Sequence, residues 1–404
     1  MNFLIALVSL LVSGLLGWSW VVALTIHYDR LARARALTVA LATLDLAVLV
    51  AAFASGAGWA TLILAVLAIV VGYVLRTRKL LAPDESRVVP ELTRRKTNPG
   101  LGHTAVIYFT HGEPESYDPI GWINQFNEFD EQGIPFVPLV ARPWFIRNLR
   151  ASYMTVGTSH HRQIHHRMIE ALRQRFLDNG DASTRFYLSF LDDDPRPDVA
   201  VIQALNEGAS RIVVAEVFLT VSNHTAEGRH LIEMLQVEDY VPVTYTGPMW
   251  DSELLTQMFV ERTNANLNGA AKGDTAVLLV GHGQPGAWDV EWPTETEHEL
   301  AFRRGVLDAL AADGYDPRKL GIAWMEFKEP KPAALIEHFV GLGAKRILYF
   351  SAAISADSLH SQYDVPELVE KARVPESIEL VNLGAWNDEP LVISAIKEKI
   401  DAVA

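Results

Sequence analysis

The sequence contains the same short phrase twice, and this repeat constrains the fold more than any other feature. Thr104–Pro114 reads TAVIYFTHGEP, and Thr275–Pro285 reads TAVLLVGHGQP, so each is an apolar, β-prone run that ends in His-Gly-x-Pro. After a helical stretch, each copy continues into a second apolar run that leads to another histidine, at Ile212–His224 and Ile347–His360. A repeat of this length predicts a duplicated α/β unit with one histidine pair per copy.

Strand-like and helical patterns alternate from residue 104 onward, which predicts parallel sheets covered by helices on both faces. Two lobes are expected, at about 104–250 and 274–404, with an interlobe helix at 251–273. In parallel sheets, ligands bind at the carboxyl ends of the strands. Each of the four repeated histidines follows a strand-like run, so we expect them to gather at one edge: His111, His224, His282 and His360. The predicted strands are Ala105–Thr110, Phe186–Phe190, Ile212–Leu219, Ala276–Val280, Leu320–Trp324 and Ile347–Phe350.

The first 75 residues are almost wholly apolar, and residues 1–79 are predicted to form a membrane anchor. Three stretches, about 3–26, 36–55 and 59–74, approach or reach the roughly 20 apolar residues that span a bilayer. Basic residues occupy the first loop and follow the third span, so the positive-inside rule predicts an outside N-terminus and a cytoplasmic soluble part. Asp45 lies within the second span, where a functional carboxylate and a helix–helix contact are both open interpretations.

Residues 80–103 form a charged, proline-containing segment that predicts a linker between the anchor and the first lobe. The net charge of −14 and the absence of a basic stripe argue against nucleic-acid binding. The chain has no cysteine, so histidine and carboxylate side chains are the strong metal ligands that remain. Nucleophilic hydrolysis and nucleotide binding are disfavoured, because the G-x-S-x-G, P-loop and dinucleotide fingerprints are missing.

A histidine at a strand end, followed by glycine, can turn its ring towards a cleft. Neutral imidazole is both a ligand for first-row metals and a base that titrates near neutral pH. A loop histidine that only caps the turn is the competing interpretation for any one of the four. Their occurrence in two parallel contexts favours a functional site.

These motifs, in their order along 104–404, resemble the ferrochelatases, within the wider class of single-chain tetrapyrrole metal chelatases. The segment VGHGQP is similar to the family's His-Gly-Leu-Pro motif, whose histidine contacts the metal, and in this chain that residue is His282. The stretch SADSLHSQYDVPEL resembles the family's Ser-Asp-His-x-Glu-Thr-x-Tyr-Glu segment. Four further stretches resemble the family's opening motif, its first long helix, its proline-initiated helix and its closing helix: HGEP, RASYMTVGTSHHRQI, DDDPRPDVAVIQALNEGASRIVV and NLGAWNDEPLVISAI.

The sequence departs from the family pattern at one chemically important position. The family's active-site glutamate falls on His360, and the histidine that follows its aspartate is replaced by Ser358. The first copy, FLTVSNHTAEGRH, looks more like the cobalt and sirohydrochlorin chelatases, and His111 with His224 match their histidine pair. The resemblance therefore implies a catalytic, metal-contacting pair at His282 and His360, with His111 and His224 as a rival pair. Asp357 and Glu367 are implied as outer carboxylates.

The region 121–150 is rich in aromatic and basic residues, and the resemblance implies that it forms the mouth of a substrate cleft. Aromatic rings could grip a flat macrocycle, and arginines could pair with its propionates. Core packing is the competing interpretation. The expected substrate contacts are Tyr117, Trp122, Arg142, Trp144, Arg147 and, from the second lobe, Asp357. In SHHRQIHH (159–166), His161 and His165 could share a metal, although a solvated helix face is the favoured interpretation.

The sequence thus predicts a chelatase-like α/β fold of two pseudo-symmetric lobes behind three transmembrane helices. The expected function is insertion of Fe²⁺ into a porphyrin for haem synthesis by a multi-pass cell-membrane enzyme whose catalytic part is cytoplasmic. Porphyrin and membrane lipid are the expected partners, with Fe²⁺ or Co²⁺ as a metal substrate and no prosthetic group. Two alternatives remain: a cobalt or nickel chelatase acting on another tetrapyrrole, and a non-catalytic haem or metal carrier on the same fold.

Overall fold

A computed structural model describes residues 2–80, 88–131 and 137–404 of the chain. It divides into two compact units. The first unit comprises the N-terminal apolar helices together with Ser116–Gly157, and the second comprises Val88–Glu115 with Thr158–Ala404. The second unit contains both copies of the repeat.

The first unit begins with three helices that are long and apolar enough to cross a membrane: α1 (Asn2–Thr25), α2 (Tyr28–Ala54) and α3 (Gly58–Leu80). Glycines let α1 and α3 approach closely, as small residues do between membrane helices. A Cβ atom added to Gly17 would lie 2.0 Å from the carbonyl oxygen of Ile69, and one added to Gly72 would lie 2.0 Å from that of Gly14. These contacts bring the backbones of the two helices together side by side.

Asp45 of α2 is buried and accepts a hydrogen bond of 2.6 Å from the Ser13 hydroxyl of α1. An acidic group inside an apolar bundle is costly unless such a partner satisfies it. This contact supports the helix–helix interpretation of Asp45.

The rest of the first unit is a segment with α4 (Pro119–Glu131) and α5 (Arg142–Val156), which packs against the end of α1. The Tyr117 hydroxyl donates a hydrogen bond of 2.6 Å to the Thr25 carbonyl. Arg150 donates to the carbonyls of Ala23 and Ile26 at 3.1 and 2.8 Å. The Trp144 ring meets Trp20 edge-on, with centroids 6.1 Å apart. Ser116–Gly157, which the sequence assigned to the first lobe, therefore groups with the apolar helices.

The second unit contains two four-stranded parallel sheets with the same strand order, β2-β1-β3-β4 and β6-β5-β7-β8. One of the two inner strands of each sheet, β1 or β5, precedes His-Gly-x-Pro and is called the central strand below. The strands are β1 (His103–Thr110), β2 (Arg185–Phe190), β3 (Ala209–Glu216), β4 (Val243–Tyr245), β5 (Thr275–Gly281), β6 (Leu320–Trp324), β7 (Arg346–Ser351) and β8 (Glu379–Asn382). The helices are α6 (His161–Asp178), α7 (Pro197–Asn206), α8 (Asn223–Glu233), α9 (Glu253–Ala265), α10 (Gly286–Glu291), α11 (Pro293–Ala312), α12 (Pro332–Gly341), α13 (Val365–Glu370) and α14 (Pro390–Asp401).

Alternate side chains of each central strand point to opposite faces, as strand geometry requires. Val106 and Tyr108 of β1 join Val277 and Leu279 of β5 in one apolar cluster, together with residues of α6, α9, α11 and α14. The other faces of the two sheets are covered separately by α7 and α12. The lobes thus share a core between them, which fixes their strand ends relative to one another.

The predicted fold class, two parallel sheets flanked by helices and preceded by three apolar helices, is confirmed. The bounds differ in detail, because α2 begins at Tyr28 and takes in the arginines assigned to a loop, and α3 extends to Leu80. Of the predicted linker, residues 81–87 lie outside the described part. The remainder packs on the first lobe, where Asn206 accepts hydrogen bonds of 2.9 Å from the backbone of Thr93 and 3.2 Å from that of Arg94.

Gly17→Ala should destabilise the first unit, because its new methyl group would overlap backbone atoms that cannot move independently. Gly14→Ala is a matched control on the same helix, since its nearest neighbour would be 3.8 Å away. We expect Gly17→Ala to lower the melting temperature of the detergent-solubilised chain and Gly14→Ala to leave it close to wild type. Equal melting temperatures for the two variants would contradict the described α1–α3 contact.

Candidate functional site

Both His-Gly-x-Pro turns orient their histidine in the same way. His111 and His282 follow the central strands directly, and each places its Nδ1 near the carbonyl oxygen of the next glycine, at 2.9 Å for Gly112 and 2.6 Å for Gly283. The glycines have φ values of 99° and 83°, which residues with side chains rarely adopt. A carbonyl can only accept, so Nδ1 carries the proton and donates it. The Nε2 lone pair of each ring is left available to a cation or a proton.

The first-lobe pair combines two imidazoles and a carboxylate. The His111 and His224 rings have centroids 4.8 Å apart, and His224 lies in the first turn of α8, after β3. An Asp192 carboxylate oxygen, from the loop after β2, lies 3.2 Å from His111 Nδ1. Groups from the ends of three neighbouring strands therefore meet at the carboxyl edge of the first sheet.

The second-lobe pair repeats this arrangement. The His282 and His360 rings have centroids 5.2 Å apart, and His360 begins a π-helical turn, His360–Asp364, after β7. Glu326 follows β6 and occupies the place of Asp192, because its backbone N–H donates to the His282 carbonyl at 3.0 Å, as that of Asp192 does to His111 at 2.8 Å.

The two pairs lie within electrostatic range of each other. A positive charge on either His111 or His282 lowers the pKa of His224, and a charge on His111 also lowers that of His282. The expectation that the repeated histidines gather at one edge is therefore met across both lobes.

Burial keeps two of these imidazoles neutral. It lowers the pKa of His224 well below its usual value, with a smaller contribution from His111 and His282. Burial and the neighbouring charge of His360 lower the pKa of His282 to about 4, although its bond to the Gly283 carbonyl opposes the shift. A neutral imidazole with a free Nε2 is the form that binds a divalent metal.

His360 has the opposite protonation preference. Burial alone would lower its pKa, but a hydrogen bond of 2.7 Å to Asp364, with the charges of Asp364, Glu113 and Glu326, raises the pKa to about 9. His360 is thus an imidazolium at neutral pH. It must release a proton before it can serve as the metal ligand that the resemblance implies.

Glu113, which the sequence reasoning missed, links the two lobes at this site. Its carboxylate accepts hydrogen bonds of 3.0 and 3.3 Å from the backbone N–H of Leu359, the residue before His360. Burial raises its pKa, against the lowering effects of Ser159, His360 and His111. The available signal was the difference between the two copies, since Gln284 takes its place in the second turn. Asp192 and Glu326 were missed too, although each lies just beyond a predicted strand.

A buried carboxylate forms hydrogen bonds with the backbone of the second His-Gly-x-Pro turn. Glu299 of α11 accepts hydrogen bonds from the backbone N–H groups of His282 and Gly283, and it pairs with Arg303 at 2.9 Å. Burial raises the pKa of Glu299, while Arg303 and the two N–H donors lower it. The turn that carries His282 is therefore hydrogen-bonded to α11, the second helix after it.

The favoured interpretation of SHHRQIHH as a solvated helix face is wrong for its two central histidines. His161 and His165 are 3% and 0% exposed, with ring centroids 4.5 Å apart. His165 is within hydrogen-bonding distance of the hydroxyls of Tyr108 at 2.9 Å, Ser355 at 3.2 Å and Thr110 at 3.3 Å. The helical spacing showed that the two residues share a face, but it could not show that this face lies under the site.

Most of the predicted macrocycle contacts lie in the first unit. There, Tyr117 and Trp144 contact α1, Arg142 pairs with Asp130, and the Trp122 and Arg147 side chains contact Phe145 and Trp144. Phe136, from the same aromatic group, falls outside the described residues. Asp357 accepts hydrogen bonds from Ser361, Ala385 and Asn387. A role for these residues in substrate binding stays a prediction.

The candidate site contains histidine pairs. Within the described ranges, no three His, Asp or Glu side chains form a group arranged to hold a metal ion.

No family model and no curated protein matches this chain. Among solved structures, it is similar to the sirohydrochlorin chelatase SirB from Bacillus subtilis subspecies spizizenii in complex with cobalt, at 11% identity and a TM-score of 0.43, over 74% of this chain and 94% of that one. SirB from Bacillus subtilis with Fe³⁺ gives 13% identity and a TM-score of 0.45 over the same shares. DR2241 from Deinococcus radiodurans, described as a multi-domain protein with structural similarity to chelatases, gives 15% and 0.47 over 74% of this chain and 55% of that one.

Gly283→Ala should disrupt the orientation of His282. Its Cβ would lie 2.5 Å from the Glu326 carbonyl oxygen, in a backbone conformation that alanine rarely adopts. We expect Co²⁺ affinity, measured by calorimetry, to fall about tenfold or more. Gly286→Ala, at the first residue of α10 and with no atom within 4 Å of its Cβ, should bind as wild type does. Unchanged affinity in Gly283→Ala would show that the ring-to-carbonyl bond does not position a ligand.

Because of the buried His165 side chain, the free energy of unfolding should decrease as the pH falls. Burial, with a smaller effect of His166, lowers its folded-state pKa to about 3, whereas an unfolded histidine has a pKa of about 6.5. Its contribution is therefore complete above pH 6.5 and is lost as the pH falls towards 3. His165→Asn should flatten the dependence of the unfolding free energy on pH between 6 and 4 by up to about 1.4 kcal/mol per pH unit. Parallel curves for the variant and wild type, measured by denaturant unfolding, would contradict this assignment.

Proposed function

We propose that this protein is a membrane-anchored metal chelatase that inserts a divalent cation into a tetrapyrrole. The observation that carries the proposal is the meeting of two repeated histidine pairs, each with carboxylates beside it, at the strand ends of two parallel sheets. Imidazole and carboxylate groups are suitable contacts for Fe²⁺, Co²⁺ and Ni²⁺. The resemblance of the motifs to ferrochelatases points to the same reaction class.

Metal insertion requires that two pyrrole N–H protons leave as the cation enters. His282 is proposed as the principal metal contact, since its ring is neutral and its Nε2 is not used by the turn. Its low pKa favours metal binding over proton storage at neutral pH. The two pyrrole protons therefore need other acceptors nearby.

The proposed acceptors are the carboxylates around His360. Glu113, Glu326 and Asp364 act electrostatically on this imidazole. We assign them the task of receiving the two pyrrole protons, together with the proton that His360 gives up when it binds the metal, and of passing these protons to solvent. The carboxylate that the family places at position 360 would then be supplied by neighbours, including Glu113 from the first lobe. His360 is the proposed second metal contact.

The first-lobe pair is the rival metal site, and a specific observation favours it. His224 is neutral, and His111 has a carboxylate oxygen of Asp192 3.2 Å from its Nδ1. His224 therefore does not have to lose a proton before this pair binds a cation. This rival applies especially to Co²⁺ or Ni²⁺ insertion into another tetrapyrrole.

The three apolar helices fit a substrate that is itself apolar and poorly soluble. A multi-pass anchor would keep the catalytic lobes beside the membrane from which such a substrate arrives. The basic residues at the carboxyl-terminal end of α3, Arg76, Arg78 and Lys79, favour placing these lobes in the cytoplasm. Fe²⁺ insertion into a porphyrin for haem synthesis is our leading assignment, with a non-catalytic haem or metal carrier as the alternative outside enzymes.

The test is turnover by the purified full-length protein in detergent. Protoporphyrin, coproporphyrin and sirohydrochlorin would each be mixed anaerobically with Fe²⁺, Co²⁺, Ni²⁺ or Zn²⁺, and insertion followed by the shift of the Soret band. We expect His282→Ala to reduce the rate about a hundredfold or more, the range for loss of a group that acts on the reacting atoms. His338→Ala, an exposed histidine of α12 in the same lobe, is the matched control and should retain activity.

Two outcomes would change the assignment. If His224→Ala abolishes insertion while His282→Ala does not, the first-lobe pair is the working site. If wild type binds a tetrapyrrole stoichiometrically and inserts none of the four metals, the enzyme assignment fails and the carrier remains.

A further inference from the structure

Phe327 is an aromatic residue whose backbone conformation is unfavourable for a bulky side chain. Four described residues other than glycine have positive φ, and two of them are asparagines, which tolerate it. Phe327 has a φ of 51°. Strain of this kind in a bulky residue persists only where its surroundings impose it, and it clusters at functional sites.

The strained residue lies directly beside the candidate metal contacts. It follows Glu326, whose backbone N–H bonds to the His282 carbonyl and whose charge acts on His360. The peptide that joins Glu326 to Phe327 also packs against Gly283, where an added Cβ would touch the Glu326 carbonyl at 2.5 Å. The conformation of Phe327 is thus fixed by the same turn that orients His282.

The Phe327 side chain is 45% exposed. The next residue, Lys328, forms an ion pair with Asp289 of α10. Asp289 is followed by Val290, which is 85% exposed. The ion pair therefore joins the loop after β6 to α10, which follows the His282 turn, and each of these two segments presents an exposed apolar side chain.

We infer that Phe327, with Val290, forms an apolar contact for one face of the tetrapyrrole macrocycle at the second-lobe site. The assignment rests on the proposed function, because it takes a flat apolar ring as the occupant. An exposed aromatic beside a cluster of titratable groups suits a ligand with a broad apolar face around a polar centre.

Removal of the Phe327 side chain should change protein stability and tetrapyrrole binding in opposite directions. Phe327→Gly removes both the strain and the ring, so the melting temperature should rise by about 1–4 °C while tetrapyrrole binding weakens. Loss of a buried aromatic contact should weaken binding about tenfold or more. Phe327→Asn, which tolerates positive φ, should show the same pair of effects. If the Phe327 side chain only stabilised its loop, its removal would instead lower the melting temperature.

Two matched controls separate strain from contact. Gln236→Gly relieves a φ of 50° in the first lobe beyond α8, so it should raise the melting temperature without changing binding. Leu177→Ala removes a side chain that is also 45% exposed. Leu177 lies 16 residues after His161 on α6, or roughly 24 Å along the helix, and its loss should leave binding unchanged.

Binding would be measured on the metal-free full-length chain in detergent by quenching of tryptophan fluorescence. Protoporphyrin, coproporphyrin and sirohydrochlorin are titrated, and variants are compared with the one that wild type binds most tightly. Weaker binding in both Phe327 variants, with both controls at wild-type affinity, supports the inference. If Phe327→Gly binds as wild type does, the contact is overturned while the proposed chelatase stands. If the wild-type protein binds none of the three tetrapyrroles, both the Phe327 contact and the proposed function are contradicted. The measurement on the wild-type protein alone identifies this outcome.

Discussion

The architecture of the second unit depends on one constraint: every strand in both repeated sheets runs parallel to its neighbours. Parallel pairing places the carboxyl ends of the strands at one edge, where loops replace the hydrogen-bonded ladder. The two sheets also share an apolar layer, to which Val106 and Tyr108 contribute from one side and Val277 and Leu279 from the other. A duplicated sequence motif is thereby converted into two facing groups of histidines and carboxylates.

Within that frame, the decisive local interaction is the bond from each histidine ring to the carbonyl of the glycine after it. The positive φ of Gly112 and Gly283 makes the contact possible, and the bond leaves Nε2 free in both copies. The copies then diverge electrostatically. His224 is neutral, whereas His360 is held as an imidazolium by the carboxylates around it. The symmetry of the fold therefore does not extend to the protonation of the site.

The sequence was sufficient for features that depend on local pattern. Alternating strand and helix signals predicted the parallel sheets, and the position of His111 and His282 directly after strands followed from the repeat. Contacts between residues far apart in the chain could not be inferred in this way. Glu113 reaches Leu359 across 246 positions, and Trp144 packs on Trp20 of the first helix. The burial of His161 and His165 was hidden because the helical period does not identify what covers a polar face.

The central claim is that the repeated histidines form one metal-handling site. Anomalous diffraction at the cobalt edge, from crystals of the full-length protein soaked with Co²⁺, tests it most directly. The account predicts a cobalt peak at bonding distance from Nε2 of His282 or, for the rival pair, of His111. A peak at neither nitrogen, with cobalt bound elsewhere on the chain, would contradict it.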